Sequence, residues 1–128
     1  MAIPNDYKDI VETLYLATDE GRVKWTQARF GFEVTVQGSR FQIWSGTDEE
    51  NGQAFVAFAL ADEKGKTLDS WYVDESESEF EWMHKLFYGA KRQALGISKI
   101  LAGLKEVIGK GGVIGDEKPN DDDIPFQN

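Results

Sequence analysis

One histidine, His84, and no cysteine bound the chemistry open to this chain of 128 residues. His84 lies between Met83 and Lys85 in a stretch of helical period, and no serine carries the glycine pattern of a nucleophile elbow, so a Ser-His-Asp triad has nowhere to form. Disulfides, thiolate zinc sites and thiol nucleophiles are excluded outright, which fits a reducing compartment. Asp74, Glu75, Glu77, Glu79 and Glu81 are close enough in sequence to suggest Mg²⁺ or Ca²⁺. They lack the glycine and ligand spacing of an EF-hand, however, and acids at this density suit the first turn of a helix, whose dipole favours them. In GKGG, residues 109–112, Gly111 follows Lys110 where a phosphate loop needs Ser or Thr, so the stretch reads as a helix stop. No catalytic residue, metal ligand or cofactor site emerges, and the chain reads as non-enzymatic.

Stacking and charge remain. Of the four tryptophans, Trp44 is the best placed to stack a base, being out of phase with Phe41 and Ile43 and sharing a face with Arg40 and Gln42; Trp71 is an alternative. The formal net charge is −9, which argues against a broad nucleic-acid surface. The charge is uneven. Residues 83–110 carry Lys85, Lys91, Arg92, Lys99, Lys105 and Lys110 against Glu106 alone, whereas residues 116–126 carry Asp116, Glu117, Asp121, Asp122 and Asp123 against Lys118. Candidate nucleic-acid contacts are therefore Arg40, Trp44, Lys85, Lys91, Arg92 and Lys99.

The elements that must position these residues follow from periodicity. Asn5 or Asp6 caps a first helix with Ile10, Val11, Leu14 and Tyr15 on one stripe, and Gly21 stops it. A short strand spans 22–27 around Val23 and Trp25. Residues 30–37, FGFEVTVQ, alternate as a half-buried strand, and Gly38-Ser39 carries the type II′ turn signal. The return strand is RFQIWSG, 40–46. AFVAFALA, 54–61, is apolar on both faces, as for a central strand covered on both sides. KTLDSWYV, 66–73, is the last strand. Ser76 with Glu79, and Ser78 with Glu81, match capping boxes before a helix marked by Phe80, Met83, Phe87, Ala90 and Ala94. Gly96 breaks it, and Ser98 caps another helix with Ile97, Leu101, Leu104 and Ile108 in register. The expected architecture is α+β: an N-terminal helix, a four- to five-stranded antiparallel sheet, two C-terminal helices packed on the sheet and a disordered acidic tail. The expected organisation is one domain over 1–110 and a flexible tail over 111–128.

The tail ends in DDDIPF, 121–126. Pro125 lacks a donor and fixes φ, so Ile124 and Phe126 are presented on an extended scaffold behind three acids. DDDIPF resembles the acidic C-terminal tip of bacterial and phage single-stranded-DNA-binding proteins, which recruits replication, recombination and repair enzymes. The resemblance implies that Asp121, Asp122 and Asp123 steer a partner and that Ile124, Pro125 and Phe126 dock into it. In that family the phenylalanine is usually last and its α-carboxylate pairs with an arginine, whereas Gln127 and Asn128 follow here. The body does not resemble that family's five-stranded barrel. It is similar instead to small, uncharacterised α+β domains of bacteria and phages, on a leading helix, Gly21-x-Val23-x-Trp25, and the basic pair Lys91-Arg92; that likeness implies a fold and no activity.

These features frame three expectations. The first is an accessory protein of DNA replication, recombination or repair that docks, through its tail, enzymes that read the single-strand-binding-protein tip. The second is a single-stranded nucleic-acid-binding protein whose basic helix is screened by the tail. The third is an inhibitor- or immunity-type module using the acids of 74–81. With no apolar run near the ~20 residues of a membrane span and no signal-peptide pattern at the start, the expected compartment is cytoplasmic, with no membrane partner.

Overall fold

A computed structural model describes residues 3–115, with elements in the order helix, five strands, two helices. The chain divides into two compact units, 1–98 and 99–128. No helix among the described residues is long and apolar enough to cross a membrane. The tail residues Asp121 to Phe126 lie outside the described residues.

Helix α1, Asn5–Asp19, starts one residue before the expected caps can act. Pro4 is the N-cap, and its carbonyl accepts the N–H of Tyr7 at 2.9 Å; neither Asn5 nor Asp6 caps through its side chain. Pro4 suits the place because the extended φ and ψ of a cap are those its ring already favours. Gly21, at φ +77°, lets the chain turn out of the helix as anticipated. Val23 and Trp25 are buried, but the strand expected over 22–27 shrinks to β1, Thr26–Gln27. The Trp25 N–H is taken by the side chain of Gln93 instead of by a strand, and its indole N–H donates to Thr18 Oγ1 at 2.9 Å.

Strands β2 (Phe32–Val36), β3 (Ser39–Thr47), β4 (Ala54–Ala61) and β5 (Thr67–Asp74) complete an antiparallel sheet in chain order, β1-β2-β3-β4-β5. The turn between β2 and β3 is Gln37-Gly38, with φ of +51° and +85°, and it aligns Val36 with Ser39. Two positive φ values make a type I′ turn, one residue earlier than the II′ turn read from Gly38-Ser39. Of the alternating stretch 30–37, Phe30 lies in the turn before β2 and Val36 at its last position, and both are exposed.

The core lies on one face of the sheet. Phe58, fully buried in β4, faces Ile43 on β3 and Trp71 on β5 across the register. Tyr7 of α1 meets Phe58 edge-on at 6.0 Å and Trp71 at 5.6 Å. Helix α2, Phe80–Ala94, adds Met83, Leu86 and Ala90 to the same cluster. The two serine capping boxes do not form: the helix begins at Phe80 without a side-chain cap. Its preceding acids are used locally instead. Asp74 accepts the N–H and hydroxyl of Ser76, Glu77 accepts the N–H of Asp74, and Glu79 accepts the N–H of Ile3. The Ser76 bonds hold the Asp74 carboxyl below its ordinary range.

Helix α3, Ile97–Gly109, belongs largely to the second unit and is described by itself; it buries none of its residues. It follows Gly96 at φ +64°, and Ser98 lies within it rather than capping it, accepting a hydrogen bond from Arg92 at 3.2 Å.

The Tyr7 hydroxyl donates to Asp69 Oδ2 at 3.0 Å, and burial, then this hydrogen bond, push the phenol up to about 12. An unfolded tyrosine ionises near pH ~10. Between those values the folded chain keeps a proton that the unfolded chain has lost. Stability from this group is therefore complete below pH ~10 and falls as pH rises through the folded value. The urea midpoint of Tyr7→Phe should vary less than that of the wild type over this alkaline window; parallel curves would contradict the assignment.

Candidate nucleic-acid interface

Side chains alternate across a strand, so committing Ile43, Phe58 and Trp71 to the helices turns their neighbours to the other side. There Trp44, Ala57 and Tyr72 lie in one cross-strand row, with Gln42, Ala59 and Ser70 in the next. Within residues 3–98 no helix covers this face. β4 was expected to be covered on both sides, at least in part by helix, and residues of both its faces are buried. Ala57 and Ala59 are buried here, where neither α1 nor α2 packs, because a methyl group is small enough to be shaded by larger side chains on β3 and β5.

Trp44, Phe55, Ser70, Tyr72 and Asp48 line a hollow of about 510 Å³ over Ala57. Phe55 lies flat enough over Gly46 that a Cβ there would meet its ring at 2.8 Å. Its ring meets Tyr72 edge-on, with centroids 6.0 Å apart. Glycine opposite an aromatic is thus what lets Phe55 rest on the sheet instead of standing off it. Tyr72 is 47% exposed, against 5% for Trp71 beside it. Trp71 is consequently a core residue and no longer a stacking candidate.

Trp44 also borders a second hollow, about 440 Å³, lined by Arg29, Phe30, Glu33, Arg40 and Gln42. Arg29 sits 5.5 Å over the ring of Phe30, which is 68% exposed at the tip of the β1–β2 hairpin. Arg40 donates to the Glu63 carbonyl at 2.8 Å and lies 3.9 Å from Glu33 Oε2, while Gln42 donates to Glu33 Oε1 at 3.2 Å. The hairpin loop closes with the Ala28 N–H on the Gly31 carbonyl at 2.9 Å. Gly31 has φ +90° and passes so close to β3 that a Cβ would come within 2.7 Å of Trp44 Cβ.

The six residues read from sequence as nucleic-acid contacts therefore divide. Arg40 and Trp44 share the uncovered face. Lys85, Lys91 and Arg92 are on α2, which packs against the opposite face; Arg92 is engaged with Ser98 and lies 5.9 Å over the Tyr88 ring. Lys99 belongs to the second unit. A charge run in sequence carries no information about which side of a sheet its helix will take. Sequence reading missed Arg29, Phe30, Asp48 and Phe55 as site residues. The signal for Phe55 was its phase, since within AFVAFALA it alternates with Val56 and Phe58.

Compared with protein-family models, curated proteins and solved structures, the chain matches none.

Gly31 passes against the Ile43 carbonyl and Trp44 Cβ and has a backbone conformation that an L side chain adopts only with strain. Gly31→Ala should destabilise the fold by at least ~1–3 kcal/mol, read as a lower urea midpoint. An unchanged midpoint would mean that the hairpin does not fix Trp44.

Proposed function

We propose that this protein is a non-enzymatic accessory of DNA replication, recombination or repair that holds single-stranded nucleic acid on its uncovered sheet face. The carrying observation is a hollow lined by three aromatic side chains, Trp44, Phe55 and Tyr72, on the sheet face opposite α1 and α2, with Arg29 and Arg40 beside it. Aromatic rings on an open sheet accept unpaired bases because every base has a π-face. A duplex has no such faces to offer, its bases being stacked on one another. Cations are few here, and Glu33 lies close to Arg40. Binding then rests on stacking more than on phosphate contacts.

A second reading is favoured by a different observation, the sequence DDDIPF at 121–126. Three acids ahead of a proline-stiffened Ile-Pro-Phe suit an apolar pocket ringed by Lys and Arg, such as that of enzymes reading the single-strand-binding-protein tip. The two readings are compatible: one element holds the strand and the other brings an enzyme to it.

Fluorescence anisotropy with a labelled single-stranded oligonucleotide tests the first reading. Trp44→Ala should weaken binding by roughly 1–3 kcal/mol, or about 5- to 150-fold. With two arginines near the strand, log K should fall with log salt at a slope of only about −1.4. No binding at low salt, or a steep slope with Trp44→Ala inert, would reject the face as the site. For the tail, a peptide of residues 116–128 should bind an enzyme that reads the single-strand-binding-protein tip, and Phe126→Ala should abolish the signal. Equal behaviour of the two peptides would end that reading.

A further inference from the structure

The aromatic hollow contains one acid, and its position is fixed. Asp48 follows β3, and its N–H donates to the Gln53 carbonyl at 2.8 Å while its own carbonyl accepts the Gly52 N–H at 2.7 Å. Asp48 Oδ1 accepts the Glu50 N–H at 2.8 Å, and Oδ2 makes no hydrogen bond among the described residues. A carboxylate tied down through one oxygen thus borders the hollow that Trp44, Phe55 and Tyr72 line.

An ionised carboxylate only accepts hydrogen bonds. On a nucleic acid it repels phosphates and finds its partners among base N–H groups. The amino groups of cytosine, adenine and guanine are such donors; thymine presents O4 at the position where cytosine has N4–H₂. Cytosine and thymine match in ring size, so stacking and backbone terms nearly cancel between them. At the 4-position the two bases differ in sign, a donor that pairs with Asp48 or an oxygen lone pair that faces it; thymine's own donor, N3–H, lies one ring atom further along the edge, flanked by O4 and O2, whose lone pairs repel a carboxylate.

We infer that Asp48 makes this site selective, favouring bases that carry an exocyclic amino group and disfavouring thymine. The inference rests on the proposed stacking face and deepens it by naming what the face selects. Arg29 and Arg40, across Trp44 in the adjoining hollow, take the phosphate side of the strand. The base edge then points away from them, toward the β3–β4 loop.

The test compares dC10 and dT10 binding to the full chain at pH 7.5 and low salt. Wild type should bind dC10 about tenfold more tightly than dT10, the value of one charge-assisted hydrogen bond. Asp48→Asn keeps the acceptor for the Glu50 N–H and adds an N–H₂ donor, so it should erase or invert the ratio by recovering dT10. A urea midpoint equal to wild type would show the loop intact. Equal wild-type affinity for both oligonucleotides, or a ratio unchanged in Asp48→Asn, overturns the assignment of Asp48 while leaving the stacking face standing. Failure of both oligonucleotides to bind overturns the face and Asp48 together.

Discussion

The arrangement of this domain depends on one buried cluster, Phe58 with Ile43, Trp71 and Tyr7. Phe58 has no exposed surface, and three aromatic partners lie within 6.0 Å of it: Tyr7, Phe41 and Trp71. Full burial of such a side chain contributes ~1.5–3 kcal/mol, and each well-oriented ring pair adds ~0.5–1.5 kcal/mol. The cluster sets direction as well as stability. Tyr7 reaches it only from α1 on that side, and Met83, Leu86 and Ala90 of α2 pack onto the same cluster. The Tyr7–Asp69 hydrogen bond ties α1 to the edge strand β5, satisfying the hydroxyl that an otherwise apolar contact would strand.

Placing α1 and α2 on one side leaves the opposite face to the side chains of the strands themselves. A sheet face with large aliphatic residues would need a second cover or would associate. Here β4 contributes Ala57 and Ala59, whose methyl groups vanish beneath their neighbours, so this face presents little aliphatic surface of its own. The larger groups are aromatic and sit on a rigid surface: Trp44 between Gly31 and the hollow, Phe55 across Gly46, Tyr72 on the strand beside them. The sheet edges are managed too. β1 is two residues long, and β5 carries an irregularity in register near Leu60 and Ala61, with Asp69 and Asp74 along it.

Much of this architecture was legible in the sequence. The helix at each end, the antiparallel strands and the opposed faces of Phe41 and Ile43 against Trp44 follow from periods of 3.6 and 2. Three things were not legible, each for a physical reason. Helix starts were misplaced because Ser76 and Ser78 match a capping box by spacing, while the acids around them were drawn into turns and the N–H of Ile3. The β2–β3 turn was one residue off because Gln37 adopts a left-handed φ that its side chain does not advertise. Most consequential, the doubly apolar run of β4 did not say which face α1 and α2 would take, nor that Ala57 and Ala59 would be shaded by cross-strand neighbours. The same limit split the candidate site: Arg40 and Trp44 share a face, but Lys85, Lys91 and Arg92 went with α2 to the other.

That division changes how an acidic protein would hold a polyanion. Had the basic segment 83–110 joined Trp44 on one surface, phosphate neutralisation would dominate and affinity would collapse with salt. With Arg29 and Arg40 the local cations and Glu33 beside one of them, the favourable term is short-ranged and comes from ring faces. At 0.15 M salt the screening length is about 8 Å, so in the proposed complex the overall charge of −9 would act chiefly on the rate of encounter, while stacking, which salt does not screen, would act on its lifetime. An acid in the base hollow fits that regime. Asp48 is costly near phosphates, yet lies across Trp44 from the arginines, where a base edge rather than a backbone would pass. On the proposed reading, a site built this way would give up tight, indiscriminate binding for the capacity to tell one base from another.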